Sequence, residues 1–246
     1  LMIMVIIMIN ISIIGLGSMG QNHLRVISEL KNTRINFLYD KNIKKVKKLS
    51  KKYNLDYTTN LNDIVKYSDA VIIASPTKTH YFYINFFSKT KINLFVEKPV
   101  VSHFEKALDL KKQLKNKKIQ CGFIERFNTV TLELKKFFKK KNVINVNFVR
   151  TDKLSNRIKD VDVIHDLMIH DIDLAVNWNG KIKEVYAHGY KQLNQIVFAT
   201  AFLKHDNGVI SRLEASRITQ KKIRQINLTT LKEYVSANLI SKDITI

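Results

Sequence analysis

The segment Gly15-Leu16-Gly17-Ser18-Met19-Gly20 spaces three glycines as G-x-G-x-x-G between an apolar run and a helical pattern. The run Ile9 to Ile14 predicts a buried strand, and apolar residues from Ser18 to Leu30 recur with the period of a helix. In such a strand-turn-helix unit the first glycine permits the sharp turn, the second lets the backbone approach a pyrophosphate, and the third lets the helix pack closely on the sheet. The segment therefore predicts a phosphate-binding turn at a helix N-terminus.

An acidic residue follows the turn at the distance expected for a dinucleotide site. The apolar run Ile35 to Tyr39 predicts a second strand, and it ends at the carboxylate of Asp40. Asp40 would accept hydrogen bonds from the adenosine ribose and repel the extra phosphate of NADP, so NAD is the predicted cofactor and NADP is less favoured. Lys41 weakens that preference. The alternative, an ordinary glycine-containing loop, does not account for the strand, the helix and the acid together.

Strands and helices continue to alternate through the first half of the chain. Apolar runs predict strands at Ala70 to Ala74, Ile92 to Val96 and Ile119 to Ile124, with helices from about Tyr81 and about His103 between them. This order predicts a doubly wound parallel sheet of Rossmann type, in which ligands bind at the carboxyl ends of the strands. The candidate cofactor-binding residues are Gly15, Leu16, Gly17, Ser18, Met19, Gly20, Asp40, Ser75, Pro76, Thr77, His80, Glu97 and Lys98.

The pattern changes after about residue 120, which predicts a second domain. Residues 1–120 are predicted to form the NAD(P)-binding domain and residues 121–246 an α/β domain for substrate binding and oligomerisation. After a basic amphipathic helix, runs typical of strands occur at Val143 to Arg150 and repeatedly from Ile182 onward. Asp206-Asn207-Gly208 predicts a hairpin turn. The second domain should therefore contain a mostly antiparallel open sheet.

The densest cluster of titratable groups lies in a predicted helix from Asp160 to Trp178. Asp166 and His170 are four residues apart, so they project from one face and can touch each other and one ligand. A carboxylate beside an imidazole favours a general base. A structural histidine and a metal site are the alternatives. His165 and His170 are five apart and point in different directions, so no metal is predicted.

The net charge of +21, from 42 Lys and Arg against 21 Asp and Glu, raises nucleic acid as a partner. The lysines of Lys41 to Lys52 surround an apolar stripe, which indicates a solvated helix face, so no nucleic-acid partner is predicted. The single cysteine, Cys121, excludes an internal disulfide and favours the cytoplasm. Leu1 to Ile9 is wholly apolar, but no basic start precedes it and glycines follow, so no membrane segment is predicted.

Several motifs together resemble the glucose-fructose oxidoreductase and inositol dehydrogenase (Gfo/Idh/MocA) family. They are the glycine turn with His23, Glu97-Lys98-Pro99, Gly122-Phe123 with Arg126-Phe127-Asn128, and Asp166 through His170-Asp171, all in the family's order. Arg157 to Asp160 and Asp166 to Asp173 are similar to the nucleotide-sugar branch of that family, the UDP-N-acetylglucosamine 3-dehydrogenases.

The resemblance implies a catalytic Lys98, Asp166 and His170. His170 would take the proton from the sugar C3 hydroxyl while hydride leaves for the nicotinamide, Lys98 would hydrogen-bond the oxygen, and Asp166 would orient the pair. A solvent-facing lysine is the alternative for Lys98. Arg126, Arg150 and Arg157 are candidates for the substrate diphosphate because guanidinium matches phosphate geometry. The full candidate substrate set is Lys98, Arg126, Asn128, Arg150, Arg157, Asp166 and His170.

The predicted function is an NAD-dependent dehydrogenase that oxidises C3 of a UDP-N-acetylhexosamine. Family members usually continue beyond the point that corresponds to Ile246, so the second domain is expected to be incomplete at its C-terminus. The resemblance also implies a homo-oligomer formed through the C-terminal sheet. Three alternatives stay open: a dehydrogenase of a free sugar or polyol, a non-catalytic NAD-binding sensor or truncated inactive copy, and a nucleic-acid binder.

Overall fold

The computed structural model describes residues 8–140, 142–153, 161–192 and 194–246. The chain divides into two compact units, Leu1–Gly122 and Phe123–Ile246. The sequence placed the domain boundary at about residue 120. The functions predicted for the two domains stay predictions.

The first unit is built on a parallel sheet of five strands in the order β2-β1-β3-β4-β5. The strands are β1 Ile9–Ile14, β2 Thr33–Tyr39, β3 Ala70–Ile73, β4 Asn93–Val96 and β5 Ile119–Cys121. The strand order reverses between β1 and β3, where ligands bind in doubly wound folds. The predicted Rossmann-type sheet is confirmed.

Both faces of this sheet are buried. Ile14 and Ile73 belong to one apolar cluster and Ile13 and Ile72 to another, because neighbouring residues of a strand point to opposite faces. Five helices connect the strands: α1 Ser18–Ser28, α2 Ile43–Tyr53, α3 Leu61–Tyr67, α4 Thr77–Ser88 and α5 Phe104–Gln113.

Helix α2 shows how the lysine-rich sequence folds. Val46 and Leu49 are buried, and the Asn42 side chain accepts a hydrogen bond from Lys45 N at the helix start. Asn54, in the left-handed conformation with φ 51°, ends the helix. Of the predicted stripe Ile43, Val46 and Leu49, the last two form the buried face, while Ile43 in the first turn is 37% exposed and most of the lysines are exposed as well.

The second unit contains a seven-stranded sheet in the order β12-β11-β10-β6-β9-β8-β7. Its strands are β6 Val143–Thr151, β7 Ile182–Gln192, β8 Gln195–His205, β9 Ile210–Ser216, β10 Ile223–Thr230, β11 Tyr234–Asn238 and β12 Asp243–Thr245. The central pair β6 and β9 is parallel, and the other pairs are antiparallel. The predicted mostly antiparallel sheet is confirmed, and Gly208, with φ 84°, makes the predicted turn between β8 and β9.

Helices pack on one face of the second sheet. They are a short 3₁₀ helix Ile124–Phe127, α6 Thr129–Lys140, a π-helical segment Ile164–Met168, and α7 Ile169–Asn179. The single tryptophan, Trp178, packs against Phe138 and Phe148 in their common core. On β7, Tyr186 and Tyr190 are exposed. The predicted association of copies through this sheet stays a prediction.

Several elements differ from the sequence expectation. Helix α4 begins at Thr77, directly after Pro76, whereas the sequence placed its start near Tyr81. The helix predicted from Asp160 to Trp178 begins with the π-helical segment, whose wider turn leaves no distinctive hydrophobic period. The sequence analysis did not assign strands β11 and β12, which hold five and three residues.

Candidate active-site residues in the two units

The glycine turn of the first unit borders a cavity of about 580 Å³. The cavity lies beside the ends of β1 and β3 and the start of α1, which is where a doubly wound sheet binds its ligands. It is lined by Gly15, Gly17, Ser18, Met19, Asp40, Lys41, Lys45, Ala74, Ser75, Pro76, Lys78, Thr79 and Tyr83.

The three glycines of the turn have different surroundings. Gly15 has φ 89°, and a Cβ there would lie 2.4 Å from Ser75 N. A Cβ on Gly20 would lie 1.8 Å from Gly15 O, so that glycine allows helix α1 to meet the turn. A Cβ on Gly17 would have no atom within 4 Å. The open space beside Gly17, at the N-terminus of α1, fits the pyrophosphate of a dinucleotide.

Asp40 lies in the wall of the same cavity. Its Oδ2 accepts a hydrogen bond of 2.7 Å from Leu16 N, and its Oδ1 accepts one of 2.9 Å from Asn42 N. The carboxylate is thereby fixed between the glycine turn and the start of α2. Lys41, Lys45 and Lys78 line the cavity as well, so cations accompany the acid that the sequence predicted.

Six predicted cofactor residues do not line this cavity: Leu16, Gly20, Thr77, His80, Glu97 and Lys98. His80 is 1% exposed, and its ring nitrogens lie 2.9 Å from Pro99 O and 2.7 Å from Ser75 O. His80 therefore ties together the loops that follow β3 and β4. These contacts give His80 a supporting position, and its predicted contact with the cofactor stays a prediction.

Glu97 and Lys98 follow β4 directly. Buried Glu97 accepts a hydrogen bond through Oε1 from His23 Nε2 at 2.7 Å and, through Oε2, one from Lys98 N at 3.3 Å. A Cβ on Gly122 would lie 3.0 Å from both carboxylate oxygens, so the glycine leaves room for this acid. Lys98 is half-buried at the carboxyl end of β4, as the sequence placed it.

The cavity also contains residues that the sequence analysis missed. Lys45 lies one turn into α2, and Lys78, Thr79 and Tyr83 come from the first two turns of α4. Burial, together with Tyr39 and Asp40, raises the pKa of Tyr83 to about 12. If the sequence analysis had placed the start of α4 at Thr77, helical spacing would have predicted that Lys78, Thr79 and Tyr83 border the crevice.

In the second unit, arginines fix the acidic helix that carries His170. Three aspartates of this region each pair with an arginine from another element. Arg217 Nη2 donates to Asp166 Oδ2 at 2.8 Å, Arg150 donates to both oxygens of Asp171, and Arg126 Nε donates to Asp173 Oδ2 at 2.7 Å. The cluster of titratable groups is thus largely a set of ion pairs that holds the helix in place.

Arg150 has different partners from the diphosphate that the sequence predicted. It is 2% exposed, and its Nη1 also donates to Glu125 Oε1 at 2.7 Å. Burial opposes the charge of the guanidinium, but Asp171 and Glu125 compensate, so the pKa of Arg150 is raised. A guanidinium that is buried between two carboxylates is a structural ion pair, and this geometry does not favour phosphate binding.

Glu125 belongs to the same network. Burial alone would raise the pKa of the Glu125 carboxyl, but the adjacent Arg150 outweighs it, Arg224 and His170 add to that effect, and the pKa is lowered. Arg224 Nη1 lies 3.3 Å from Glu125 Oε1. The sequence analysis gave Glu125 no role, because a single glutamate after a strand carries no spacing signal.

Four other candidate substrate residues lie in the second unit: His170, Asn128, Arg126 and Asp166. His170 is 8% exposed and lies in the first turn of α7, directly after the π-helical segment and next to Asp171. Asn128 Nδ2 donates to Glu125 Oε2 at 3.3 Å, and Arg126 is partly exposed beside Asp173. Arg157 lies outside the described residues. Asp166 and His170 are carried by one continuous helical stretch, as the sequence predicted.

In the part of the chain that the structure describes, no group of three or more His, Cys, Asp or Glu side chains is placed to hold a metal ion. Within the same residues, no helix combines the length and apolar character needed to cross a membrane.

Models of known families match both units. The model described as "Oxidoreductase family, NAD-binding Rossmann fold" matches residues 9–124. The model described as "GFO/IDH/MocA C-terminal domain" matches residues 142–230. The first match contains the glycine turn, the cavity and Lys98, and the second contains Arg150 and His170.

Individual relatives agree with these matches. A UDP-N-acetylglucosamine 3-dehydrogenase of Acidithiobacillus ferrooxidans is 23% identical over 241 residues, which cover 95% of this chain and 75% of the relative. Its crystal structure superimposes with a TM-score of 0.89 over 97% of this chain and 79% of its own. A scyllo-inositol 2-dehydrogenase (NAD(+)) of Bacillus subtilis is 29% identical over 166 residues, 61% of this chain and 48% of the relative.

The family models together span most of the chain, and they match the two units in the order in which the fold presents them. The relatives named above are dehydrogenases, which act on CH–OH groups. The chain belongs to the GFO/IDH/MocA family of oxidoreductases that use a nicotinamide cofactor, the family that its sequence motifs resemble.

Proposed function

We propose that this protein is an NAD-dependent dehydrogenase that oxidises the C3 hydroxyl of a UDP-N-acetylhexosamine to the 3-keto sugar. The observation that carries the proposal is its likeness, along 95% of the chain, to a relative named for that activity. The fold-level likeness to that relative supports the same assignment. The motifs from Asp166 to Asp173 that point to the nucleotide-sugar branch lie on the helix fixed by the arginines.

NAD is the proposed form of the cofactor. The glycine turn and the open space beside Gly17 accommodate a pyrophosphate, and Asp40 presents a carboxylate in the cavity wall. A carboxylate there accepts hydrogen bonds from the ribose hydroxyls and repels the additional phosphate of NADP. When bound, the nicotinamide supplies the acceptor for the hydride.

The proposed chemistry assigns one role to each residue. His170 accepts the proton as the O–H bond of the substrate breaks, and the hydride leaves the same carbon, so a C=O bond forms. Lys98 donates a hydrogen bond to that oxygen, where negative charge develops. Asp166, held by Arg217, keeps the helix turn below His170 in position.

Arg126 and Asn128 are proposed for the substrate. Arg126 is partly exposed, so its guanidinium can approach a phosphate while Nε and Nη2 keep their hydrogen bonds to the largely buried Asp173. Arg157 stays in the candidate set on the sequence alone. Arg150 is no longer proposed as a phosphate ligand, because its donors are directed to Glu125 and Asp171.

The test is NADH formation, followed by absorbance, with a panel of UDP-N-acetylglucosamine, UDP-N-acetylgalactosamine and UDP-glucose. Turnover should be fastest with an N-acetylated UDP-sugar, and NMR of the product should place the ketone at C3. His170→Ala should lower kcat by at least about 100-fold, because general-base catalysis contributes that much. The matched control is His103→Ala, which changes an exposed histidine of the other unit.

A polyol dehydrogenase is a second candidate, favoured by the 29% identity to the inositol relative. It would use the same cofactor and the same base. Adding myo-inositol, scyllo-inositol and free hexoses to the panel separates the two candidates. Turnover of an inositol with none of the UDP-sugars would overturn the first proposal. NADH binding without turnover of any compound would indicate a non-catalytic protein.

A further inference from the structure

His80 is a buried histidine with a backbone carbonyl at each of its ring nitrogens. It is 1% exposed, with Nδ1 2.9 Å from Pro99 O and Nε2 2.7 Å from Ser75 O. A carbonyl oxygen only accepts hydrogen bonds, so each contact requires a hydrogen on the ring nitrogen concerned. The doubly protonated ring donates both bonds at once, and the neutral ring donates one of them.

One of the two carbonyls belongs to the wall of the cavity beside the glycine turn. Ser75 follows β3, lines the cavity, and lies so close to the turn that a Cβ on Gly15 would be 2.4 Å from Ser75 N. The hydroxyl oxygen of Ser75 also lies 2.7 Å from that of Thr79, another lining residue. A change in the position of Ser75 would therefore change the cavity wall.

The other carbonyl belongs to the loop of Lys98. Pro99 follows Lys98 directly, and on the other side of the lysine the carboxylate of Glu97 accepts a hydrogen bond from Lys98 N at 3.3 Å. Glu97 Oε1 in turn lies 2.7 Å from His23 Nε2. The backbone around Lys98 is thus anchored on both sides, to α1 through Glu97 and to α4 through His80.

We propose that His80 is a positioning residue for Lys98, because its ring holds the backbone after the lysine and joins it to the cavity wall at Ser75. The proposal rests on the proposed function, in which Lys98 donates a hydrogen bond to the substrate oxygen. Such a donor accelerates the reaction only where it meets the charge that develops, and a displacement of about 1 Å can cost about 100-fold in rate. His80 itself takes no part in the transfer of the proton or the hydride.

The two contacts of the ring can be separated by substitution. The amide nitrogen of asparagine can take the place of Nδ1, and that of glutamine can take the place of Nε2. His80→Asn therefore keeps a donor for Pro99 O and loses the one for Ser75 O, whereas His80→Gln keeps the donor for Ser75 O and loses the one for Pro99 O. Each variant is the matched control of the other, because both put an uncharged amide at the same buried position.

The two variants should divide their effects between kcat and cofactor affinity. His80→Gln should lower kcat by about tenfold or more with little change in NADH affinity, because the backbone beside Lys98 loses an anchor. His80→Asn should weaken NADH binding by about tenfold and keep most of kcat, because the anchor that it loses is the one on the cavity wall. NADH formation with the sugar and titration of NADH fluorescence measure the two quantities. Equal losses of kcat in both variants would indicate a structural histidine and overturn the proposal.

Exchange of the Lys98 amide hydrogen gives a readout that needs no sugar. The exchange should be about tenfold faster in His80→Gln, where the adjoining backbone is released, and unchanged in His80→Asn. Ser88→Ala, on the last turn of α4 and outside the lining of the cavity, is a further control and should change neither the exchange nor the NADH affinity. Equal exchange in His80→Gln and the wild type would contradict the proposal.

If neither variant folds, the wild-type ring decides the question. NMR of ¹⁵N-labelled histidine shows which nitrogens of His80 carry hydrogen, and scalar coupling across a hydrogen bond identifies the accepting carbonyl. A hydrogen on Nδ1 that is coupled to the Pro99 carbonyl carbon would support the proposal, whereas a bare Nδ1 would overturn it, because such a nitrogen cannot hold Pro99 O. Absence of turnover in the wild type would contradict the proposed function alone, because the amide exchange and the ring NMR measure the hold on the Lys98 loop without substrate.

Discussion

Arg150 donates two hydrogen bonds to Asp171, from Nε at 2.9 Å and from Nη2 at 2.8 Å, with both side chains almost fully buried. The pair joins the central strand β6 to the helix that carries His170. Since both members lie far from water, the loss of Arg150 would leave the Asp171 carboxylate buried without the guanidinium that pairs with it. The pair should therefore dominate the stability of the second unit.

Arg150→Met should lower the free energy of unfolding by about 3–5 kcal/mol, because it leaves Asp171 buried without its cation and Glu125 with one of its two arginines. Urea unfolding followed by the fluorescence of Trp178, the single tryptophan, measures this unit directly. Lys204→Met, which breaks an exposed pair with Glu184, is the control and should change stability little. Equal effects of the two substitutions would contradict a structural role for Arg150.

Two glycines of the turn should respond differently to alanine. Gly20→Ala should destabilise the first unit, because its Cβ would lie 1.8 Å from Gly15 O. Gly17→Ala should preserve the melting temperature, since no atom lies within 4 Å, yet weaken NADH binding by at least about tenfold where the pyrophosphate approaches. Thermal unfolding and NADH fluorescence titration separate the effects. Normal NADH affinity in Gly17→Ala would place the pyrophosphate elsewhere.

Asp40→Asn should shift the cofactor preference, because Asp40 is the acid in the cavity wall. Removal of the negative charge leaves Lys41, Lys45 and Lys78 to attract the additional phosphate of NADP. We expect the ratio of kcat/KM for NAD to that for NADP to fall by about tenfold or more, which corresponds to about 1.4 kcal/mol. Lys45→Gln is the opposing control and should raise the ratio. An unchanged ratio in both variants would show that other groups select the cofactor.

Ionisation of Tyr83 should make the protein less stable at high pH. Its pKa is raised to about 12 from an ordinary value of 10.0, so its neutral form is favoured by folding. The stability that this contributes is fully present below pH 10 and is lost as the pH rises toward about 12. In Tyr83→Phe the unfolding free energy should decline less steeply over that interval, as measured by urea unfolding at successive pH values. Parallel declines in both proteins would contradict this origin.

The glycine turn, the first sheet and Asp40 were predictable because each has a local signal. Spacing identifies the turn, and continuous apolar runs identify buried parallel strands. Asp40 was found from its distance to the turn. Each of these signals comes from residues that are close in sequence. A local sequence pattern is therefore enough to predict the feature.

The partners of the charged residues could not be predicted in the same way. Arg150 and Asp171 are far apart in sequence, and their pairing depends on how α7 packs on β6. The sequence analysis made Arg150 a candidate for the substrate diphosphate because guanidinium suits phosphate, but guanidinium also suits a carboxylate. Glu125 was missed for the same reason, since its importance comes from Arg150 and Arg224, which other strands supply.

Strand β6 pairs in parallel with β9, which lies later in the chain, so β6 is synthesised before the strands that it pairs with. β6 ends at Thr151, but its neighbours β9 and β10 begin at Ile210 and Ile223, so both its edges stay unpaired while that chain is made. The first unit closes its sheet by Cys121 and needs none of these residues. Contacts so distant in sequence form slowly, and a strand with two unpaired edges is prone to pair with another chain. Nascent chains of this protein are therefore most exposed to aggregation during translation of the stretch between β6 and β10.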